Sequence, residues 1–283
     1  MIVVTGATGT IGSELIHLLS EADEEVRALS RHPPDESPVP GVEWREADLS
    51  DRASLESAFD GAQRLFLLTG NAAEMVQAQK NAIEAAASAS TERVVKLSAL
   101  GASDHSKSVI GVWHWVVEQV LREADVEWTI LRPHVFMQNV LDQRAAIREP
   151  GTVRSPSGDA AIPMIDTRDI AAAAAAVLIQ DGHAGERYTL TGPEPVSWHE
   201  IARILSDLLG RSVEYVPETE DDTWDRLHSA GEPPWLIAGR LALAEYQRAG
   251  GGTDIVTDAV ERLTGRRPRS FREFAEDHAP DLG

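Results

Sequence analysis

The chain has 283 residues, 42% of them hydrophobic, with a formal net charge of −20 and no cysteine. That is enough apolar material for one large α/β domain, or one such domain with a smaller lobe, and it excludes disulfides, thiolate metal sites and cysteine nucleophiles together. The charge argues against nucleic acid as a partner, because phosphate binding needs clustered Lys and Arg, and any site for an anionic ligand must supply its own local positive charge.

The first residues, MIVVTGATG, have neither the basic start nor the long apolar stretch of a signal peptide. No apolar run reaches the roughly 18–20 residues of a membrane span. A soluble, cytoplasmic protein is expected, with monomer and homodimer both open.

Residues 2–4 (IVV) read as a strand running into a glycine-rich turn, after which Ile11, Leu15, Leu18 and Leu19 recur at helical spacing. Val26–Leu29 is a second strand, 33–41 a Pro-rich loop, and Val42–Glu46 a third strand before a helix over 51–59 with Ser50 as its cap. Arg64–Leu68 is a fourth strand, 71–87 an Ala-rich helix, Arg93–Leu97 a fifth strand, 112–124 a helix and Trp128–Leu131 a sixth strand. Six alanines, Ala171 to Ala176, lie behind Asp166 and Thr167 as caps and predict a helix packed closely on a sheet; Arg187–Thr191 is a further strand. Strands alternating with helices require parallel strands with crossover helices on both faces, so the predicted fold is α/β, a Rossmann-type doubly wound parallel sheet. After Pro193 helical patterns dominate, at 198–209, 222–230, 235–248, 253–263 and 271–278. The expected organisation is a dinucleotide-binding domain over 1–192 and a mainly helical substrate lobe over 193–283, to which 136–160 contributes.

The strongest chemical signal is Thr5-Gly6-Ala7-Thr8-Gly9-Thr10-Ile11-Gly12, placed between a strand and an amphipathic helix. Gly6 permits the tight turn, Gly9 lets backbone approach a pyrophosphate, and Gly12 lets the helix pack on the strand. Free amides at the helix start then bind the anion, with Thr8 and Thr10 adding hydroxyls. The second strand ends Ala28-Leu29-Ser30-Arg31-His32, with no acid at its tip to receive a ribose 2′-hydroxyl. Arg31 pairs well with a 2′-phosphate, which favours NADP(H) over NAD(H). Asp48 and Leu49 after the third strand reach toward adenine, and Thr69-Gly70 after the fourth lie along the dinucleotide.

Taken together, TGATGTIG, LSR, ADLSD, KLSALGAS, HxxxE, WTILRPHVFMQN and IDTRDIA resemble the atypical short-chain dehydrogenase/reductase proteins of the NmrA-like group, over nearly the whole chain. That group includes quinone-oxidoreductase-like reductases and NADP-sensing regulators. The resemblance implies cofactor contacts at Gly6, Thr8, Gly9, Thr10, Ile11, Gly12, Ser30, Arg31, Asp48, Leu49, Thr69 and Gly70. It implies that Ser98 and Pro133–Phe136 lie near the nicotinamide, and that Phe136, Met137 and Asn139, with Trp113, border the substrate.

The Tyr-xxx-Lys pair of related dehydrogenases is missing. The only tyrosines are Tyr188, Tyr215 and Tyr246, and the residues four further on are Gly192, Thr219 and Gly250. The matching helix carries His114 and Glu118 on one face at i,i+4. One reading makes His114 a proton donor oriented by Glu118, with Ser98 beside them. The other makes His114, Glu118, Arg122 and Asp125 a solvated face, with Val112, Val116 and Val120, Trp113, Val117 and Leu121 as the packing stripe. No histidine–carboxylate cluster has metal-site spacing, and Trp224 and Trp235 read as anchors of the C-terminal helices. The leading expectation is an NADPH-dependent oxidoreductase passing hydride to a quinone, enone or carbonyl compound. The alternatives are an NADP(H)-sensing regulatory protein without turnover, and an NAD(P)-dependent isomerase or dehydratase.

Overall fold

A computed structural model describes residues 1–250 and 253–283. Strand β1 (Ile2–Val4) leads into helix α1 (Thr10–Glu21), followed by β2 (Val26–Ser30), β3 (Val42–Glu46), α2 (Arg52–Ala58), β4 (Arg64–Leu67), α3 (Met75–Ser88), β5 (Arg93–Leu97), α4 (Val109–Glu123) and β6 (Glu127–Pro133). A short 3-10 helix over Met137–Gln143, α5 (Arg144–Arg148), β7 (Thr152–Ser155) and β8 (Ala161–Ile162) precede α6 (Thr167–Ile179) and β9 (Glu186–Leu190). The remainder holds β10 (Val196–Ser197), α7 (Trp198–Leu209), β11 (Glu214–Pro217), α8 (Glu220–Ser229), α9 (Pro234–Arg248), α10 (Ala259–Thr264), α11 (Phe271–Asp277) and α12 (Ala279–Leu282).

The central sheet has seven strands in the order β3-β2-β1-β4-β5-β6-β9, and every pairing in it is parallel. The order reverses direction between β1 and β4, and open α/β sheets bind ligands in the crevice at such a switch point. Strand alternation sorts side chains to two faces. Ile2, Val4, Val95, Leu97 and Leu131 pack with α1 and α6, whereas Val3, Val94 and Ile130 pack with α3 and α4. By the same alternation Lys96 of β5 and Arg132 of β6 fall on the α3–α4 face. Four of the six alanines of α6 (Ala171, Ala173, Ala174 and Ala175) are buried, which lets that helix close on α1.

A separate core joins Met137, Val140, Val153 and Met164 to Trp198, Ile201, Leu205 and Phe274. The C-terminal region holds more β-structure than expected, since β7 pairs with β11 and β8 with β10. β8 and β10 have only two residues each, and β7, though alternately buried, has four. Helix α10 packs on α6, with Ala259, Val260 and Leu263 in the sheet-side core, and 253–258 are not helical. Three helix starts also differ from expectation. The α2 cap is Asp51, accepting from Ala53 N, not Ser50. Helix α3 begins at Met75, leaving 71–74 as loop, and α4 begins at Val109, where Ser108 is still extended. Asp166 caps α6 by accepting from Arg168 N. Among the described residues no helix is long and apolar enough to cross a membrane.

Candidate active site

A cleft of about 1800 Å³ runs along the carboxyl ends of β1 to β6 and is closed on its far side by α9. At one end the β1–α1 turn presents Gly6, Thr8, Gly9, Thr10 and Ile11. Gly6 has φ +65, a left-handed backbone that L-residues avoid. Gly12 does not line the cleft, and a Cβ there would sit 2.1 Å from the Gly6 carbonyl oxygen, so its role is helix–strand contact. The α1 N-cap is Gly9, without a side-chain capping bond or an acid in the first turn. The first amides of a twelve-residue helix are therefore left for an anion. Thr5 ties this turn to β4, its hydroxyl donating to the Leu68 carbonyl at 2.8 Å.

Beyond the turn lie Ser30 and Arg31 of the β2 end, Asp48 and Leu49, then Thr69 and Gly70. Arg31 is exposed and makes no hydrogen bond or ion pair among the described residues, while the lining cations Lys107 and Arg240 are paired with Glu245 and Glu232. Asp48 spends its carboxylate on its own turn. Its Oδ1 accepts from Ser50 N and Ser50 Oγ, both at 2.8 Å, and those bonds, with the nearby Arg31 charge, hold it below the usual carboxylate range. The Thr69 hydroxyl accepts from Gln79 Nε2 at 2.7 Å.

At the other end Ser98, Pro133, Phe136, Asn139 and His114 line the wall, facing Leu236, Leu243 and Tyr246 of α9 and its approach. Met137 and Trp113 do not belong to this wall. Met137 is 1% exposed inside the C-terminal core, and Trp113 packs on Trp235 with ring centroids 5.1 Å apart, joining α4 to α9. Trp235 is thus an anchor, as expected.

The solvated-face reading of α4 holds at Arg122 and Asp125, which are exposed, and is overturned at His114 and Glu118. His114 is 8% exposed and Glu118 0%, and the buried face is Gly111, His114, Val117, Glu118 and Leu121, with Val112, Val116 and Val120 only half-buried. Glu118 does not orient His114 either. Its carboxylate accepts from Arg132 Nε at 2.8 Å and Arg132 Nη2 at 2.6 Å, and from Ser98 Oγ at 2.5 Å. The planar guanidinium matches the carboxylate fork and keeps the buried charge compensated. Because the Ser98 proton points inward to Glu118, that hydroxyl offers the cleft only lone pairs.

The partner of His114 is Lys96, whose Nζ stands 3.1 Å from His114 Nδ1 and donates to the Leu97 carbonyl at 3.0 Å. Lys96 is 0% exposed. Burial pushes its amine down to about 7, opposed by Glu118 and helped by Arg132. Burial first, then the Lys96 and Arg132 charges, hold His114 well below the normal imidazole value, so its ring is neutral at pH 7. Neither Lys96 nor Arg132 was singled out from the sequence. The available signal was a lysine inside VVKL, a run otherwise reading as a fully buried parallel strand. His134 also lines the cleft. Its Nδ1 accepts from Val135 N at 2.7 Å and its Nε2 donates to the Thr253 carbonyl at 2.9 Å.

A family model described as the NmrA-like family matches residues 1–228. Among curated proteins the chain is 36% identical to an NAD(P)H azoreductase of Xenophilus azovorans, covering 100% of this chain and 99% of that one. It is also 36% identical to a (4-alkanoyl-5-oxo-2,5-dihydrofuran-3-yl)methyl phosphate reductase of Streptomyces griseus, covering 99% and 98%. Among solved structures, an NADPH-dependent quinone oxidoreductase of Escherichia coli complexed with NADPH superposes with a TM-score of 0.86 at 28% identity, covering 99% of each chain. A negative transcriptional regulator complexed with NADP, 19% identical with a TM-score of 0.80, shares the fold.

Proposed function

This chain belongs to the NmrA-like family, and on that footing we propose that it is an oxidoreductase that binds NADPH ahead of NADH and passes hydride to a quinone, enone or carbonyl acceptor. The observation that carries the reading is one continuous cleft joining the glycine-rich turn to a wall where a neutral imidazole meets apolar side chains. A phosphate fits the bare start of α1. Its relatives at 36% identity are reductases by name.

Bound there, the reduced nicotinamide supplies the hydride. The chain's own groups bind, orient and exclude water. The amides of Thr10 and Ile11 hold the pyrophosphate, with Thr8 and Thr10 hydroxyls beside them and Gly12 keeping the helix close to the strand behind. Arg31, unpaired at the β2 tip, takes a 2′-phosphate, and Ser30, Leu49 and Asp48 flank the adenosine, while Thr69 and Gly70 follow the dinucleotide. Ser98, Pro133 and Phe136 support the nicotinamide. Asn139, Phe136, Leu243 and Tyr246 border the acceptor. His114 Nε2, which has no hydrogen-bond partner among the described residues, donates a hydrogen bond to the acceptor atom. The absent Tyr-xxx-Lys pair suits a quinone, whose reduced anion is stabilised without a strong acid. The cofactor domain is assigned to 1–192 and the acceptor lobe to 193–283 with 136–160. The core shared by Met137, Val140 and Val153 with Trp198 and Phe274 supports this grouping, although Ile162 and Met164 join that core from beyond 160 and α10 stays on the sheet side.

The test is NADPH and NADH oxidation by the purified protein with quinones, enones, azo dyes, aldehydes and ketones. Turnover with any class, faster with NADPH, is expected, and His114→Ala lowers it without changing NADPH affinity. Tight NADPH binding with no turnover across the panel would favour a binding-only sensor.

A further inference from the structure

We propose that Lys96 feeds a proton through the His114 imidazole to the acceptor, so that the two residues form a proton relay opening into the cleft at His114 Nε2. The inference rests on the oxidoreductase reading above and adds to it the source of the proton. The geometry is a chain of three positions. Lys96 Nζ is sealed behind the wall, His114 Nδ1 lies 3.1 Å from it, and His114 lines the cleft while its Nε2 has no hydrogen-bond partner among the described residues.

The physical need for the relay lies in the burial of His114. A buried imidazole that is neutral at working pH has one proton to give. Releasing it alone would leave an imidazolate, which is far too basic to form near pH 7. The proton at Nε2 can leave only if Nδ1 gains one in the same step. An ammonium at Lys96 meets that need twice over. It can only donate, so it fixes Nδ1 as the acceptor and Nε2 as the protonated nitrogen. It then hands over its own proton as Nε2 gives one up. The amine is pushed down to about 7, so it exchanges protons near neutral pH.

The step balances as follows. The acceptor takes a hydride from the reduced nicotinamide and a proton from His114 Nε2. The Nδ1–H bond forms as an Nζ–H bond of Lys96 breaks, leaving a neutral amine and a neutral imidazole. After product leaves, water in the cleft protonates Nε2 and Nδ1 returns its proton to Nζ. Lys96 therefore needs no solvent contact of its own. The groups facing it are His114 and Glu118 of α4 and Arg132 of β6. Arg132 and Ser98 already occupy the Glu118 carboxylate, so Glu118 does not compete for the Lys96 proton as a hydrogen-bond acceptor. Lys96 is a positioning and proton-supplying residue, and His114 is the group that touches the acceptor.

Two measurements test it on the full chain. In protein labelled with ¹⁵N in histidine, His114 at pH 6 is expected as the neutral Nε2–H tautomer, and Lys96→Met lets the Nδ1–H form appear. A wild-type ring protonated at Nδ1 and not at Nε2, or doubly protonated at pH 6, overturns the relay. With NADPH and either 2-cyclohexenone or 1,4-naphthoquinone, wild-type kcat is expected to fall as pH rises through a midpoint near 7. Lys96→Met is expected to turn over about 10- to 100-fold more slowly with no such midpoint, at unchanged NADPH Kd. Lys96→Arg, which keeps a charge and a donor but yields no proton near neutral pH, is expected to stay slow. Wild-type kcat and pH profile in both variants overturn the relay alone. No NADPH oxidation by the wild type with any acceptor overturns the oxidoreductase reading and the proton delivery with it.

Discussion

At the β1–α1 end of the cleft the cleft-facing groups are backbone amides, bare glycine surface and threonine hydroxyls from one short stretch, Thr5 to Ile11. At the opposite end they depend on side chains from β5, α4 and β6, with Lys96, Ser98, His114, Glu118 and Arg132 brought together across the α3–α4 face of the sheet. The first end tolerates an exposed cation, Arg31, with no ion pair among the described residues, because water solvates it there. The second end buries Lys96 and Glu118 with Arg132 half-buried beside them; the Glu118 carboxylate is matched by Arg132, and the Lys96 amine, which has no ion pair of its own among the described residues, is pushed down to about 7. One region is built by removing side chains and the other by interlocking them, so the two fail differently when altered.

The sharpest way to break this contrast is Glu118→Ala. It leaves Arg132 and Lys96 without their counter-charge inside the fold, and a loss of about 3–5 kcal/mol is expected in urea unfolding. A loss under about 1 kcal/mol, the range of a surface pair, would mean the network is not the closed unit described. Gly12→Ala tests the other end. A Cβ placed 2.1 Å from the Gly6 carbonyl forces the turn to shift, with about 1–3 kcal/mol of overpacking. NADPH affinity is expected to fall about 100-fold in a fluorescence titration, while His114 ring resonances stay where they were. Arg31→Ala is gentler, because one charge-assisted contact is worth about 1.5–3 kcal/mol. NADPH is expected to bind about 10- to 100-fold more weakly and NADH unchanged, and equal weakening of both would remove the 2′-phosphate assignment.

The last test is a pH dependence carried by a single group. The unfolded chain holds a proton on Lys96 up to its ordinary 10.5, whereas the folded chain releases it near 7. Between those values the unfolded state binds more protons, so this group's contribution to stability rises with pH across the window and is flat below it. The urea midpoint of the wild type is expected to gain on that of Lys96→Met between pH 7 and pH 9.5. Parallel midpoints would place the Lys96 amine at its ordinary value.

The same contrast explains what the amino-acid order could tell in advance. That the β1–α1 turn, the β2 tip, and the loops after β3 and β4 line the cleft was readable, because each belongs to consecutive residues at a strand's carboxyl end in a known local geometry. The period of α4 placed His114 and Glu118 on one face, but two opposite faces were both arguable, since valines and tryptophans alternate with the polar residues around the helix. Only the position of α4 against β5 and β6 decided that the polar face is the buried one. Met137 and Trp113 were drawn toward the acceptor because they adjoin true wall residues, Phe136 and His114. A one-residue step along a turn or helix reversed their direction, sending Met137 into the C-terminal core and Trp113 onto Trp235.

The sequence by itself determined the parallel sheet, its glycine-rich phosphate turn and the absence of a Tyr-xxx-Lys pair, because these depend on periodicity, spacing and residue type along one stretch of chain. The tertiary structure alone decided that Lys96 stands behind His114, that Arg132 rather than His114 holds Glu118, and that α9 walls the cleft. Those facts depend on which residues distant in sequence share a dry interior, where desolvation sets both the partners a charge must find and the protonation state it keeps.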